Sequence, residues 1–132
     1  MERLTLVVVM SFSEILEAYR LKLIEAITFL TAFIELKEDS DLLRAAAVLI
    51  DASEHAYAPL AAYGQAILAV ICFEAGMRLR EKVRQLRERG LEEEDLEYVY
   101  DVRAYLKRIA DSIESGEYEK SYELMLNRHK GE

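Results

Sequence analysis

Three residues in the middle of the chain, Asp51, Glu54 and His55, are of the types that carry acid–base or metal chemistry. Their spacing sets them on one side of a helix, because residues three and four apart are neighbours on a helical surface. Asp51 and His55 are an i, i+4 pair in which a carboxylate can support an imidazole, as in a general acid–base pair or half of a metal site. A di-iron carboxylate bundle, however, wants Glu-x-x-His on each of two helices. Here Glu54 and His55 are adjacent, and the other histidine, His129, lies near the C-terminus. The favoured reading is therefore a solvated stripe on an alanine-rich helix, with no catalytic residue, metal or cofactor assigned.

A second cluster is basic. Arg78, Arg80, Lys82, Arg84, Arg87 and Arg89 are opposed within their own run only by Glu81 and Glu88. Leu79, Val83 and Leu86 form the buried stripe of that segment, so the cations point outward and could grip phosphate or nucleic acid. The competing reading starts from position: cations at a helix C-terminus complement its macrodipole, and acids do so at an N-terminus. Glu92, Glu93, Glu94, Asp95 and Glu97 follow directly after Gly90. In an antiparallel hairpin the two charged ends neutralise each other, and this reading is preferred. No interleaved aromatics of the single-strand-binding kind accompany the ridge. Cys72, in the most apolar stretch, reads as a small buried hydrophobe. Tyr98, Tyr100, Tyr105, Tyr118 and Tyr122 read as an amphipathic seam between the last two helices.

Composition sets the frame that must position these groups. The chain has 132 residues, is 52% apolar and 32% charged, and carries a formal net charge of −8. That length suits one domain, and the apolar fraction excludes a disordered polymer. One cysteine excludes a disulfide framework and any multi-cysteine zinc site. The acidic balance argues against nucleic-acid binding by the surface as a whole. The longest uncharged run, residues 56–73, contains Pro59, Gly64 and Gln65, and falls short of the ~20 apolar residues of a membrane span. Residues 1–10 contain one basic residue and an apolar run but no small-residue cleavage site, so they are expected to form a leader or short β-like arm. The expected location is cytoplasmic. The only side-chain amides are Gln65, Gln85 and Asn127, a bias seen in proteins from hot environments.

Over residues 11–132 the periodicity is helical throughout, and the expected fold is an all-α antiparallel bundle of four to five helices. Ser11 and Glu14 form a capping box for the first helix, which should run to Lys37. The polar turn Lys37-Glu38-Asp39-Ser40-Asp41 leads into a second helix, expected to end near Tyr57. Pro59 is expected to break or kink the chain and to open a long central alanine-rich helix reaching Arg89. Gly90 and Gly116 are expected terminators for the third and fourth helices.

Between Ala45 and Ala75 there are eleven alanines in thirty-one residues, so close axis-to-axis packing is expected there. Ala58, Ala62, Ala66 and Ala69 would form a small-residue stripe, with Leu60, Ile67 and Ile71 on the other face. A segment apolar all round must be surrounded by protein. That excess, together with Phe33 on the first helix, points to a homodimer interface comprising Ala58, Ala62, Ala66, Ala69, Leu60, Ile67, Ile71 and Phe33, and to a non-enzymatic helical interaction or scaffold protein with a possible further protein partner. The alternative is a nucleic-acid-associated regulatory protein using Arg78, Arg80, Arg84 and Arg87. In size and alanine-rich helical texture the chain is similar to helical bundles of the HEPN kind, which include ribonucleases. Their signature sets a histidine one to two turns after an arginine, and neither His55 nor His129 has one there.

Overall fold

A computed structural model describes residues 10–130, and those residues form five helices and no strand. These are α1 (Phe12–Leu36), α2 (Asp39–Ala62), α3 (Ala66–Arg89), α4 (Glu93–Glu114) and α5 (Glu117–Lys130). The expected arm over residues 1–10 lies, apart from Met10, outside the described residues. The Ser11 hydroxyl accepts from the Glu14 backbone N–H at 3.1 Å, and the Glu14 carboxylate accepts from the Ser11 N–H at 2.9 Å. The capping box therefore starts α1, satisfying two otherwise orphan donors. At its other end the Lys37 N–H donates to the Phe33 carbonyl from a left-handed conformation.

The helices run up, down, up, down. α1 packs against α2 and α4, α3 packs against α2 and lies diagonally across the core from α1, and α5 is attached beside α4. The core is leucine-rich: Leu16, Leu23 and Leu30 of α1 meet Leu42, Leu49 and Leu60 of α2, Leu79 of α3 and Leu106 of α4. Tyr19 joins α1 to α3 through the middle of the bundle, its hydroxyl donating to the Leu68 carbonyl at 2.6 Å. The Cys72 thiol in turn donates to the Tyr19 oxygen at 3.4 Å. Phe12, at the start of α1, stacks with Tyr63 at 5.0 Å and with Tyr122 of α5 at 4.4 Å, so α5 closes that end of the bundle.

The boundary between α2 and α3 differs from the expectation. Pro59 neither breaks the chain nor opens the long helix; α2 continues through it to Ala62, and the turn falls at Tyr63-Gly64-Gln65. Proline removes one intrahelical bond, the one to the His55 carbonyl four residues back. His55 is exposed, so water can satisfy that carbonyl. What stops the helix is Gly64, at φ 71, a conformation in which a β-carbon is disfavoured. Of the long helix expected from Pro59 to Arg89, residues 59–62 thus end α2 and residues 66–89 form α3, the two helices of 24 residues each folding against each other.

The close packing expected of the alanine-rich stretch is found between α2 and α3. A β-carbon placed on Gly76 would lie 2.7 Å from Ile50 Cγ1 and 3.0 Å from the Ala46 carbonyl oxygen. Ala46 and Ala69 are buried along this seam. Glycine in a helix interior costs ~1 kcal/mol relative to alanine, and at Gly76 the cost is offset by the approach of the neighbouring backbone.

Candidate functional site

Among the described residues, the polar cluster, the basic ridge, the apolar faces and two interhelical clefts are the places where function can reside. Asp51, Glu54 and His55 share the outer surface of α2 and all three are exposed. The His55 Nδ1 lies 2.9 Å from the Asp51 carbonyl oxygen and 3.2 Å from its carboxylate. Lys22 of α1 stands 3.8 Å from the same carboxylate. Both neighbours of Nδ1 are acceptors, so that nitrogen carries the hydrogen and Nε2 is left for an outside partner. Among the described residues no group of three or more His, Cys, Asp or Glu side chains is arranged to hold a metal ion.

The basic ridge is largely spent on carboxylates. Arg84 pairs with Glu81 and, at 2.8 Å, with Glu88 on its own helix. Arg87 reaches Asp39 at the start of α2 at 2.8 Å, and Arg78 lies 3.9 Å from Glu74. Lys82 and Arg89 converge on Asp95 at 3.0 and 2.9 Å, so the acidic start of α4 does neutralise the basic end of α3. Asp95 is fully buried, and its carboxylate also accepts from the Glu92 N–H, as a cap for α4. Hydrogen bonding to Arg89 holds its carboxyl well below the usual carboxylate range, outweighing the opposing effect of burial. Among the described residues, Arg80 contacts no carboxylate and points to the Met77 sulfur at 3.8 Å.

The expected interface residues divide. Leu60 and Phe33 are enclosed by their own subunit, and Ala69 lies in the α2–α3 seam, so these three are unavailable to a second chain. Ala58 and Ala62 are exposed on α2, Ala66 and Ile71 are half-buried, and Ile67 is 58% exposed. The stripe of Ala58, Ala62, Ala66 and Ala69 assumed one continuous helix, and the turn at Gly64 separates its two halves.

A different apolar face emerges instead. Val70, Phe73 and Met77 recur at i, i+3 and i+7 on the outer side of α3, and Tyr57 of α2 stands beside them. Tyr57 is 53% exposed and Phe73 46% exposed. Val70 and Phe73 border a shallow, nearly all-apolar depression with Tyr57, Ala69, Ser53 and Glu54. The spacing was present in the sequence, but the segment is apolar on every side, and only the packing shows which side the core consumes.

Two clefts accompany these surfaces. α3 and α4 stand further apart than the other neighbouring pairs, and Ile71, Ala75, Tyr98, Val102 and Tyr105 line a cleft of about 290 Å³ between them. The tyrosines thus divide: Tyr98 and Tyr105 face α3, while Tyr118 donates to Gln65 and Tyr122 packs on Phe12. A smaller apolar groove of about 160 Å³ lies between α1 and α2. Cys72 has no such access: burial pushes its thiol up to about 11, so it is protonated at neutral pH and fills space.

No helix among the described residues is long and apolar enough to cross a membrane. Comparison with known proteins found no matching family model, no similar curated protein and no similar solved structure.

Proposed function

We propose that the protein is a non-enzymatic helical interaction or scaffold protein that works as a homo-oligomer, most simply a twofold dimer, in the cytoplasm of a heat-adapted cell. The supporting observation is the exposed apolar face of Tyr57, Val70, Phe73 and Met77, with Ile67 at its edge. The subunit has already closed a core of its own, so these side chains are surplus to folding. Apolar side chains gathered in one patch, rather than scattered, mark an association surface. Aromatic residues and methionine are the types enriched at such surfaces.

Sedimentation equilibrium at tens of micromolar tests this reading. A dimer is expected for the native chain, and a folded monomer for Phe73→Glu, since a buried unpaired charge at the centre of an interface is strongly unfavourable. A native chain that stays monomeric at that concentration overturns the reading.

A further inference from the structure

We propose that the outer face of α2 and α3 docks a second copy of this chain in one defined register, Arg80 of each protomer pairing with Glu54 of its partner. The proposal rests on the self-association reading and adds what orients it. The two helices meet where Gly76 of α3 lies against Ile50 of α2. Glu54 is one turn past Ile50, and Arg80 is one turn past Gly76. Because the helices run in opposite directions, the two charges stand on opposite sides of that contact, about 12 Å apart along the bundle at ~1.5 Å per residue. Between them the surface is apolar: Phe73 and Met77 are exposed, and Ile50 is half-buried.

Both charges are unspent within the subunit. Among the described residues neither Glu54 nor Arg80 forms an ion pair, and the Arg80 guanidinium reaches only the Met77 sulfur, at 3.8 Å. Glu54 rims the depression beside Tyr57, Val70 and Phe73. The next cations along α3 are neutralised, Arg84 by Glu81 and Glu88 and Arg87 by Asp39. The face thus carries one unpaired acid at one end, one unpaired base at the other, and apolar side chains between. A twofold contact sets a patch against itself, so the patch must be self-complementary. An axis crossing the helices at the Ile50–Gly76 contact exchanges the two ends. Each Arg80 then lies over the opposing Glu54, with Phe73 and Met77 against their counterparts. Glu54 belongs to α2 and Arg80 to α3, so the two copies of α3 cross obliquely, as in ridges-into-grooves packing. A parallel arrangement would put both arginines at one level and both glutamates at another, leaving all four unpaired. Such charges select the register and reject the alternatives, while the apolar contact supplies most of the affinity.

Sedimentation equilibrium of the full-length chain with reversed charges tests the register. Arg80→Glu and Glu54→Arg should each weaken self-association at least roughly tenfold, since a symmetric dimer then sets like charges together twice. An equimolar mixture of the two variants should recover native affinity as a mixed dimer, because both contacts again join an acid to a base. The Arg80→Glu/Glu54→Arg double variant should recover it alone. Both positions are exposed, so every variant should keep its native circular dichroism. Reversals that leave the dimer as tight as the native one overturn this register while the self-association reading stands. So does weakening with no recovery in the mixture or the double variant. A monomeric native chain overturns both.

Discussion

Replacing Gly76 with alanine sets two effects of opposite sign against each other, and the structure says which wins. In an open helix the substitution would stabilise by ~1 kcal/mol through propensity alone. Here the new methyl would sit 2.7 Å from Ile50 Cγ1, 3.0 Å from the Ala46 carbonyl oxygen and 3.3 Å from the Ile50 nitrogen. Carbon atoms are comfortable at ~3.5–4.0 Å, so the first contact is too short by roughly 1 Å. Ile50 cannot turn aside freely, because a β-branched side chain in a helix has one strongly preferred χ1, and leaving it costs ~0.5–1.5 kcal/mol. Two of the three contacts are backbone, so complete relief requires α2 and α3 to separate, loosening the seam around Ala46, Leu49 and Cys72. Overpacking of this kind costs ~1–3 kcal/mol. Set against the propensity gain, the middle of that range leaves a net loss of about 1 kcal/mol, or a fall in Tm of a few degrees for a chain of this size. Urea denaturation followed by circular dichroism measures it. Because Ile50→Ala removes the clashing atom, the Ile50→Ala/Gly76→Ala double variant should lose less stability than the two single losses combined. A Gly76→Ala protein as stable as the native one would refute the close approach of the two helices.

Three further expectations follow from particular contacts. Asp95 is held ionised in the folded state with its pKa below the unfolded value of about 3.9, so its contribution is present above that value and drains away as the pH falls through the folded one. The stability gap between the native chain and Asp95→Asn, measured by chemical denaturation, should be constant above about pH 5 and should narrow below pH 4. An equal gap at pH 3 and pH 7 would contradict the ion-pair arrangement. Gly64→Ala meets no atom within 4 Å but keeps a φ of 71, so it should destabilise by ~1–2 kcal/mol through conformation alone; an unchanged urea midpoint would show that the turn does not require that geometry. Tyr19→Phe removes the buried hydroxyl that donates to Leu68 and accepts from Cys72, and should cost ~1 kcal/mol or more in the same assay. No loss would mean that the α1–α3 bond contributes nothing net.

The helical class, the capping box at Ser11 and Glu14, and the ends of α3 at Gly90 and α4 at Gly116 were legible in the chain itself. Each rests on interactions within a few residues, and the periodicity of leucine and isoleucine reports them directly. The pairing of the basic end of α3 with the acidic start of α4 was legible for the same reason, since a short hairpin brings consecutive ends together. Pro59 misled because proline weakens a helix locally, whereas continuation to Ala62 depends on Leu60 being buried in the core and on solvent reaching the His55 carbonyl. The placement of the candidate interface was equally obscure. A segment apolar on all sides carries no mark of which side its own subunit will bury.

Residue order alone thus determined an all-helical chain whose apolar content exceeds what one face of each helix needs, because helical periodicity and capping are local. Tertiary packing decided how that surplus is divided: Leu60, Phe33 and Ala69 went inward, while Tyr57, Val70, Phe73 and Met77 stayed at the surface. It also decided that Ala18, Ala52 and Ala56 face one another across a groove ending at Lys22. Those outcomes depend on the relative rotation and separation of helices, which are set by contacts between residues distant in the chain, and periodicity along one helix carries no information about them.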